Sequence, residues 1–344
     1  MTTIFSFGLG IGTQNKSTAW LEVFYPEPQL NPDESLVKIL EKTLGYAGGN
    51  HDIPLNKALL EKLSNAFLDT KKSNLASIVN QLKNTERPVI ATILETDSPV
   101  VSVPEGYLKL HLLSHRLVKP NNINLIGIFG VLPNVAWTNE GAIDVNELAE
   151  RQLASRLRSS NLSVTSIDKF PKMVDYIVPS GVRIADTARV RLGAYIGEGT
   201  TIMHEGFVNF NAGTENTSMI EGRISQGVFV KKGSDLGGGS STMGTLSGGG
   251  QIVITIGSQC LLGANSGLGI PLGDRCTIEA GLYITAGTKV SLLDDCAKLV
   301  TQTKARNLAG KNDLLFRRNS ETGAVECLTN HSAVELNEVL HSSN

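Results

Sequence analysis

The chain has 344 residues, 41% hydrophobic and 19% charged, with a formal net charge of −2. Such a composition folds, is long enough for two or three compact units, and excludes a surface built to wrap nucleic acid or coat an anionic membrane. No apolar run nears the roughly 18 residues of a membrane helix, and Met1–Phe5 lacks the basic flank and apolar stretch of a secretion signal, so a cytoplasmic protein is expected.

In chain order, residues 1–175 read as a mixed α/β domain. Strand candidates are 19–25, 88–94 and 124–129, each rich in β-branched or aromatic residues. Apolar residues at helical spacing mark 36–44 and 58–68, and Pro104 opens a third helical run that stops before Pro120. Asp144 followed by Glu147 resembles an acidic helix start. Gly8-Leu-Gly-Ile-Gly12 lacks the third spaced glycine of a dinucleotide loop and is not read as one.

Residues 176–292 are different. Of the 35 glycines, 23 fall between Gly181 and Gly287. Aliphatic residues recur every sixth position in four runs: Ile184, Val190, Ile196, Ile202, Val208; then Ile224, Val230, Leu236; then Ile256, Leu262, Leu268; then Leu272, Ile278, Ile284, Val290. The residue four places after each is usually small, as at Ala194, Ala212, Ser234, Ser240 and Cys260. A period of six fits neither a helix nor a simple alternating strand. It fits a short strand and a corner repeated three times per turn, which is a parallel β-helix. The sixteen-residue step from Val208 to Ile224 predicts an insertion of four in 214–218, and the twenty-residue step from Leu236 to Ile256 predicts two extra residues in 239–250. Residues 293–344 read as an extension, with strands at 313–320 and 324–328 and a terminal helix at 334–340.

Chemistry-bearing residues are few. Cys260, Cys276, Cys296 and Cys327 form no Cys-x-x-Cys pair and are expected to be reduced thiols. Gly244–Gly250 is followed by Gln251 and lacks the Gly-Lys-Ser/Thr ending of a phosphate loop. His204 is the one histidine of the coil region, which excludes a three-histidine zinc site and leaves it as a base or a structural residue. Glu205 beside it is either a solvated carboxylate or, three copies around an axis, a ligand for a hard cation. Glu221-Gly222-Arg223 pairs a carboxylate that can take a proton or act as nucleophile with a guanidinium that can clamp a carboxylate; a surface ion pair would look the same. Lys304, Arg317 and Arg318 offer cations to phosphates, or a solvated edge.

Long strings then carry a family resemblance: Val182–Asp186, Met203–Thr214, Met219–Arg223, Gly237–Gly250 and Leu314–Ser320, with 19–25 and 110–116 in the N-terminal domain. The chain resembles the tetrahydrodipicolinate N-succinyltransferases, in the longer form of that family. The resemblance implies a left-handed coil, a homotrimer with sites between neighbouring subunits, and succinyl transfer from succinyl-CoA to the amine of ring-opened tetrahydrodipicolinate, toward diaminopimelate and lysine. Carried over by position, it implies Glu221 as the catalytic carboxylate. It implies Arg223, Gly238, Ser241, Ala264, Glu279, Ala280, Gly287, Lys304, Arg317, Arg318, Asn319 and Ser320 as succinyl-CoA contacts. It also implies Glu205 as a magnesium ligand, although this chain has Ala188 where some relatives carry a second acidic ligand. Two other readings stay open: acetyl transfer to another amine on the same scaffold, and a non-catalytic trimeric scaffold. No nucleic-acid or membrane partner is expected.

Overall fold

The strand Ser6–Gln14 runs through the middle of an antiparallel sheet in which Trp20–Phe24 and Val89–Leu94 flank it and His51–Pro54 pairs with Val89–Leu94. It alternates Phe7 and Leu9 with Gly8, Gly10 and Gly12 for a packing reason. Phe7 and Leu9 enter a core with Leu36, Leu40, Leu63, Phe67 and Val79. On the other side a Cβ at Gly8 or Gly10 would press into the Tyr25 ring, at 2.6 and 2.7 Å. The glycine run therefore makes room for a buried tyrosine. The computed structural model describes residues 3–244 and 252–329.

The expected helices form at Glu34–Leu44 and Lys57–Asp69, started by Asp33 and Asn56, whose side chains accept from the Leu36 and Leu59 amides. A further helix, Ser73–Leu82, was not expected; it buries Leu75, Ala76, Val79 and Leu82 in the same core. The run opened by Pro104 is the helix Val103–Ser114, capped by Ser102. Its Lys109 is fully buried and satisfied by Asp97 at 3.0 Å, Glu105 at 3.5 Å and the Asn124 carbonyl at 2.9 Å. The strand expected at 124–129 does not form. Gly127 turns the chain at φ +89°, against the Val100 carbonyl, and a short helix follows at Ile128–Val131. Val135–Thr138 pairs with Gly141–Asp144 and Val164–Asp168 in a small sheet, and Asp144 accepts from the Asn146 amide where the chain enters Leu148–Leu157.

The chain divides into two compact units, one of residues 1–117, 122–171 and 175–177, the other of 118–121, 172–174 and 178 onward. The second is the parallel β-helix. Its interior residues stack on three faces. On the first, Ile184, Ile202, Ile220, Leu236, Leu262 and Ile278 follow one another in register. On the second, Val190, Val208, Ile224, Thr242, Leu268 and Ile284 are at successive levels. On the third, Ile196, Thr214, Val230 and Ile256 stack. All but Ile184 are buried, each aliphatic contributing about 1.5–3 kcal/mol by leaving water. The small residues at the corners, such as Ala194, Ala212, Ser234, Ser240 and Cys260, are buried where a larger side chain would strike the next coil.

The breaks in period differ from expectation. Thr214 lies in the strand Ala212–Thr214, between Ile196 and Val230, so 214–218 holds no insertion. The sixteen-residue step arises because the step from Ile220 to Ile224 is four residues and not six, and the shortened corner is Glu221-Gly222-Arg223. A polar interior residue, Thr214, hid this from the aliphatic pattern. In the second break Thr242 keeps the period, and the surplus falls between Thr242 and Ile256, a step of fourteen residues in place of six. Of that segment, 243–244 and 252–254 are among the described residues.

Beyond the coil, Leu314–Arg318 adds one more parallel rung to the first face, placing Phe316 on Ile278. Val325–Thr329 pairs back on it, and the hairpin Lys289–Leu293 with Leu299–Lys304 joins the same sheet. Arg275 fastens this rung by donating to both carboxylate oxygens of Asp313, at 2.6 and 2.8 Å. The helix expected at 334–340 lies outside the described residues. No helix among the described residues is long and apolar enough to cross a membrane.

Candidate active site

Parallel register carries distant residues to one edge of the prism. Glu221, Gly237, Gly263 and Glu279 each directly follow a stacked residue of the first face, so the four corners lie one above another. Their amides form a ladder: Glu221 donates to the Leu236 carbonyl at 2.8 Å, Gly237 to Leu262 at 2.7 Å, Gly263 to Ile278 at 2.8 Å and Glu279 to Phe316 at 2.9 Å. A second ladder on the same edge runs from Gly239 to the Glu221 carbonyl, Asn265 to Gly238 and Gly281 to Ala264. Gly239, Asn265 and Gly281 take the left-handed backbone that turns a six-residue corner, with φ +70°, +54° and +73°. The four-residue corner at Glu221 has no such turn.

The Glu221 carboxylate rests over Gly238. A Cβ there would lie 3.4 Å from Oε2, and among the described residues beyond its chain neighbours no other atom comes within 4 Å of that point. Gly222 is required by the short corner, since a Cβ would overlap the buried Ser240. Arg223, two residues on, is exposed and faces outward beside Ser241, its register partner. Among the described residues neither the Glu221 carboxylate nor the Arg223 guanidinium has a hydrogen-bond or salt-bridge partner. Ala264, Glu279 and Ala280 are exposed at the next two levels. The Glu279 carboxylate accepts from the Arg318 amide at 2.6 Å, which brings the turn after Leu314–Arg318 onto this edge.

That turn is internally braced. Arg317 donates to Glu326 at 2.9 Å and Asn319 to the other oxygen of Glu326 at 2.8 Å. The Asn319 bond and the Arg317 charge hold the Glu326 carboxyl below the usual range, against the cost of burial. Arg317 is thus committed to an ion pair, while the Arg318 guanidinium reaches the Gly323 carbonyl at 3.1 Å and Ser320 is exposed. Gly287 and Lys304 stand apart. Gly287 follows the second-face strand Tyr283–Thr285, and Lys304 ends the strand paired to Lys289 nearby. Two strands separate Lys304 from Leu314–Arg318 in the sheet. Glu205 occupies the same edge as Glu221 one coil earlier, exposed, with His204 Nδ1 at 3.1 Å and Arg189 Nη2 at 3.5 Å. Sequence reasoning gave Gly222 no packing role and missed Glu326. The four-residue step signals the first; nothing in the sequence signals the second.

A profile described as the middle region of tetrahydrodipicolinate N-succinyltransferase matches residues 132–172, and one described as the hexapeptide repeat of succinyl-transferase matches 253–286. A Pseudomonas putida protein named 2,3,4,5-tetrahydropyridine-2,6-dicarboxylate N-succinyltransferase is 64% identical over 342 residues, covering 99% of each chain. The chain belongs to the tetrahydrodipicolinate N-succinyltransferase family. A Vibrio cholerae protein of the same name is 56% identical, again over 99% of each chain. A crystal structure from Campylobacter jejuni, described as a 2,3,4,5-tetrahydropyridine-2-carboxylate N-succinyltransferase, superposes with a TM-score of 0.88 at 31% identity. It covers 97% of this chain and 94% of its own. The coil is accordingly the left-handed hexapeptide-repeat β-helix of that family, behind an α/β N-terminal part.

Proposed function

We propose that this chain transfers succinyl from succinyl-CoA to the amino group of ring-opened tetrahydrodipicolinate. The products are N-succinyl-2-amino-6-oxopimelate and CoA, on the route to diaminopimelate and lysine. The observation that carries the reading is the Glu221 carboxylate, held over Gly238 at a shortened corner beside an exposed Arg223. A carboxylate with no partner among the described residues is free to take a proton, and Arg223 can clamp the free carboxylate of a succinyl group through two hydrogen bonds.

In this reading the amine attacks the thioester carbonyl directly. The N–C bond forms, Glu221 takes a proton from the amine, and the C–S bond breaks with the thiolate recovering that proton. Removing such a base costs about 10²–10⁴-fold in turnover. The test follows free-thiol release with both substrates in the wild type and in Glu221→Ala. A rapid quench with labelled succinyl-CoA alone separates the two roles of Glu221: label bound covalently to it would replace direct attack by an acyl anhydride.

We further propose that three copies assemble, so that the edge carrying Glu221 faces a neighbouring protomer and the groove between them holds the thioester. Light scattering should return three times the chain mass; a monomer with full activity contradicts it. Magnesium belongs to Glu205 only in that assembly: a hard cation wants several oxygens, one chain offers a single carboxylate with the Arg189 guanidinium beside it, and three copies around the axis would bring three. Among the described residues of one chain, no three His, Cys, Asp or Glu side chains form a group that could hold a metal ion.

A further inference from the structure

Tyr283 is 46% exposed, yet its ring does not stand out from the coil. Outward positions on the second face stack as Phe207, Arg223, Ser241, Gly267 and Tyr283. A Cβ on Gly267 would overlap three carbons of the Tyr283 ring, so the ring lies back across Gly267 in the direction of Ser241. Gly267 sits in the strand Gly267–Gly269, is buried, and does not take a left-handed backbone. Its lack of a side chain is therefore required by the ring and not by the turn of the chain. Among the described residues the Tyr283 hydroxyl has no partner.

Tyr283 follows the corner Glu279-Ala280-Gly281 and so borders the edge on which Glu221, Gly238, Ala264 and Glu279 are stacked. From the level of Glu221 to that of Glu279 is three coils, about 14 Å at the usual strand spacing. A thioester whose carbonyl lies at Glu221 and whose phosphates lie farther along must span that distance with an uncharged, flexible arm. A ring laid flat beside the path offers such an arm apolar contact at little entropic cost, because the ring is already fixed.

We infer that Tyr283 is a binding residue for the pantetheine arm of the acyl donor, the ring packing along it where it passes Gly267. This rests on the succinyl-CoA reading above. The experiment is steady-state thiol release by the wild type, Tyr283→Ala, Tyr283→Phe and Gly267→Ala, with succinyl-CoA and with the short donor succinyl-N-acetylcysteamine. Melting temperature is recorded for each. Tyr283→Ala should raise KM for succinyl-CoA about tenfold with kcat little changed, the loss of roughly 1.4 kcal/mol of contact. Tyr283→Phe should keep the wild-type KM. Gly267→Ala, which displaces the ring without removing it, should raise KM as Tyr283→Ala does, and the short donor should show a much smaller difference. An unchanged KM for succinyl-CoA in Tyr283→Ala overturns the inference, as does an equal loss of kcat with both donors alongside a lower melting temperature, which marks a purely structural ring. A wild type that releases no thiol overturns the succinyl-CoA reading and this inference with it.

Discussion

Glu221 and Gly238, seventeen residues apart in sequence, meet at adjacent coils with Oε2 3.4 Å from the point a Cβ on Gly238 would take. Gly238 does not take a left-handed backbone, so alanine is tolerated there by the chain. Its methyl group would stand against the carboxylate and crowd whatever lies between them. Gly238→Ala should leave the melting temperature within a few degrees and lower kcat/KM about 10–100-fold, since a displacement of an ångström at a reacting group has that order of effect. A variant with wild-type kcat/KM would remove Glu221 from the reaction path.

Thr214 explains why the period was misread, and it can be tested. It sits at an interior position normally held by an aliphatic, and its hydroxyl pairs with Thr200 Oγ1 at 2.8 Å and accepts from the Gly197 amide at 3.2 Å. Thr200 also donates to the Asn216 carbonyl at 3.0 Å, and the Gly197 amide also reaches the Thr214 carbonyl at 2.9 Å. Thr214→Val keeps the shape and leaves both neighbours with a partner, so the cost should be about 1 kcal/mol, the net worth of one hydrogen bond. Urea denaturation measures it; a loss of several kcal/mol would mean that the Thr200–Thr214 pair organises the corner.

Much of the coil was legible because its interior is a one-dimensional stack: each level repeats the demands of the last, and those demands recur every sixth residue. The exceptions were unreadable for a specific reason. Thr214 and Thr242 bury a hydroxyl by bonding it to neighbouring coils, Thr242 to the Ser225 amide and the Arg223 carbonyl, both at 3.0 Å. A polar residue there looks like a break in the sequence and is none in the fold. Glu221 stands out in the sequence beside Arg223, while Gly238, Ala264 and Glu279 follow only from the resemblance; that the four share one edge follows from register, which depends on how many residues each corner spends. The N-terminal strand Ser6–Gln14 escaped notice because its glycines answer to Tyr25, a partner just past the end of the next strand. Local pattern does not contain that kind of information.

The four thiols should separate by burial alone. Cys260, Cys276 and Cys327 are buried and Cys296 is exposed. Burial pushes the Cys327 thiol up to about 12. Cys260 is pushed upward by its bond to Cys276 and by desolvation, whereas that same bond lowers the Cys276 thiol, which is kept from a reagent by burial alone. Since the thiolate is the reactive form, a thiol-disulfide reagent at pH 8 should find one fast thiol per native chain and four after denaturation. Cys296→Ser should abolish the fast phase. Two fast thiols would place one of the buried cysteines at the surface.

The N-terminal unit should weaken in mild acid. His111 is fully buried, accepting from the Tyr25 amide at 3.2 Å, with its other nitrogen 2.7 Å from the Tyr107 carbonyl. Desolvation lowers its pKa to about 3, and that of the stacked His115 to about 4. Both are therefore neutral in the fold but protonate near 6.5 once unfolded. Between pH 6.5 and about 4 the unfolded chain binds more protons, so stability is full above 6.5 and falls as the pH drops, by up to about 1.4 kcal/mol per pH unit for a fully buried histidine. His115 is only half-buried and contributes less. Glu22 acts in the opposite sense. Burial raises its pKa despite the bonds from Thr13 and Tyr176 and the charge of Arg87, so the fold gains from its protonation in the upper part of that window. The histidines should dominate, because two imidazoles oppose a single carboxyl. Melting curves from pH 7 to pH 4.5 should show a falling midpoint for the wild type and a flatter profile for His111→Gln, whose amide can replace the bond from Tyr25. A wild-type midpoint that does not move across this range would mean that His111 titrates normally and that water reaches it.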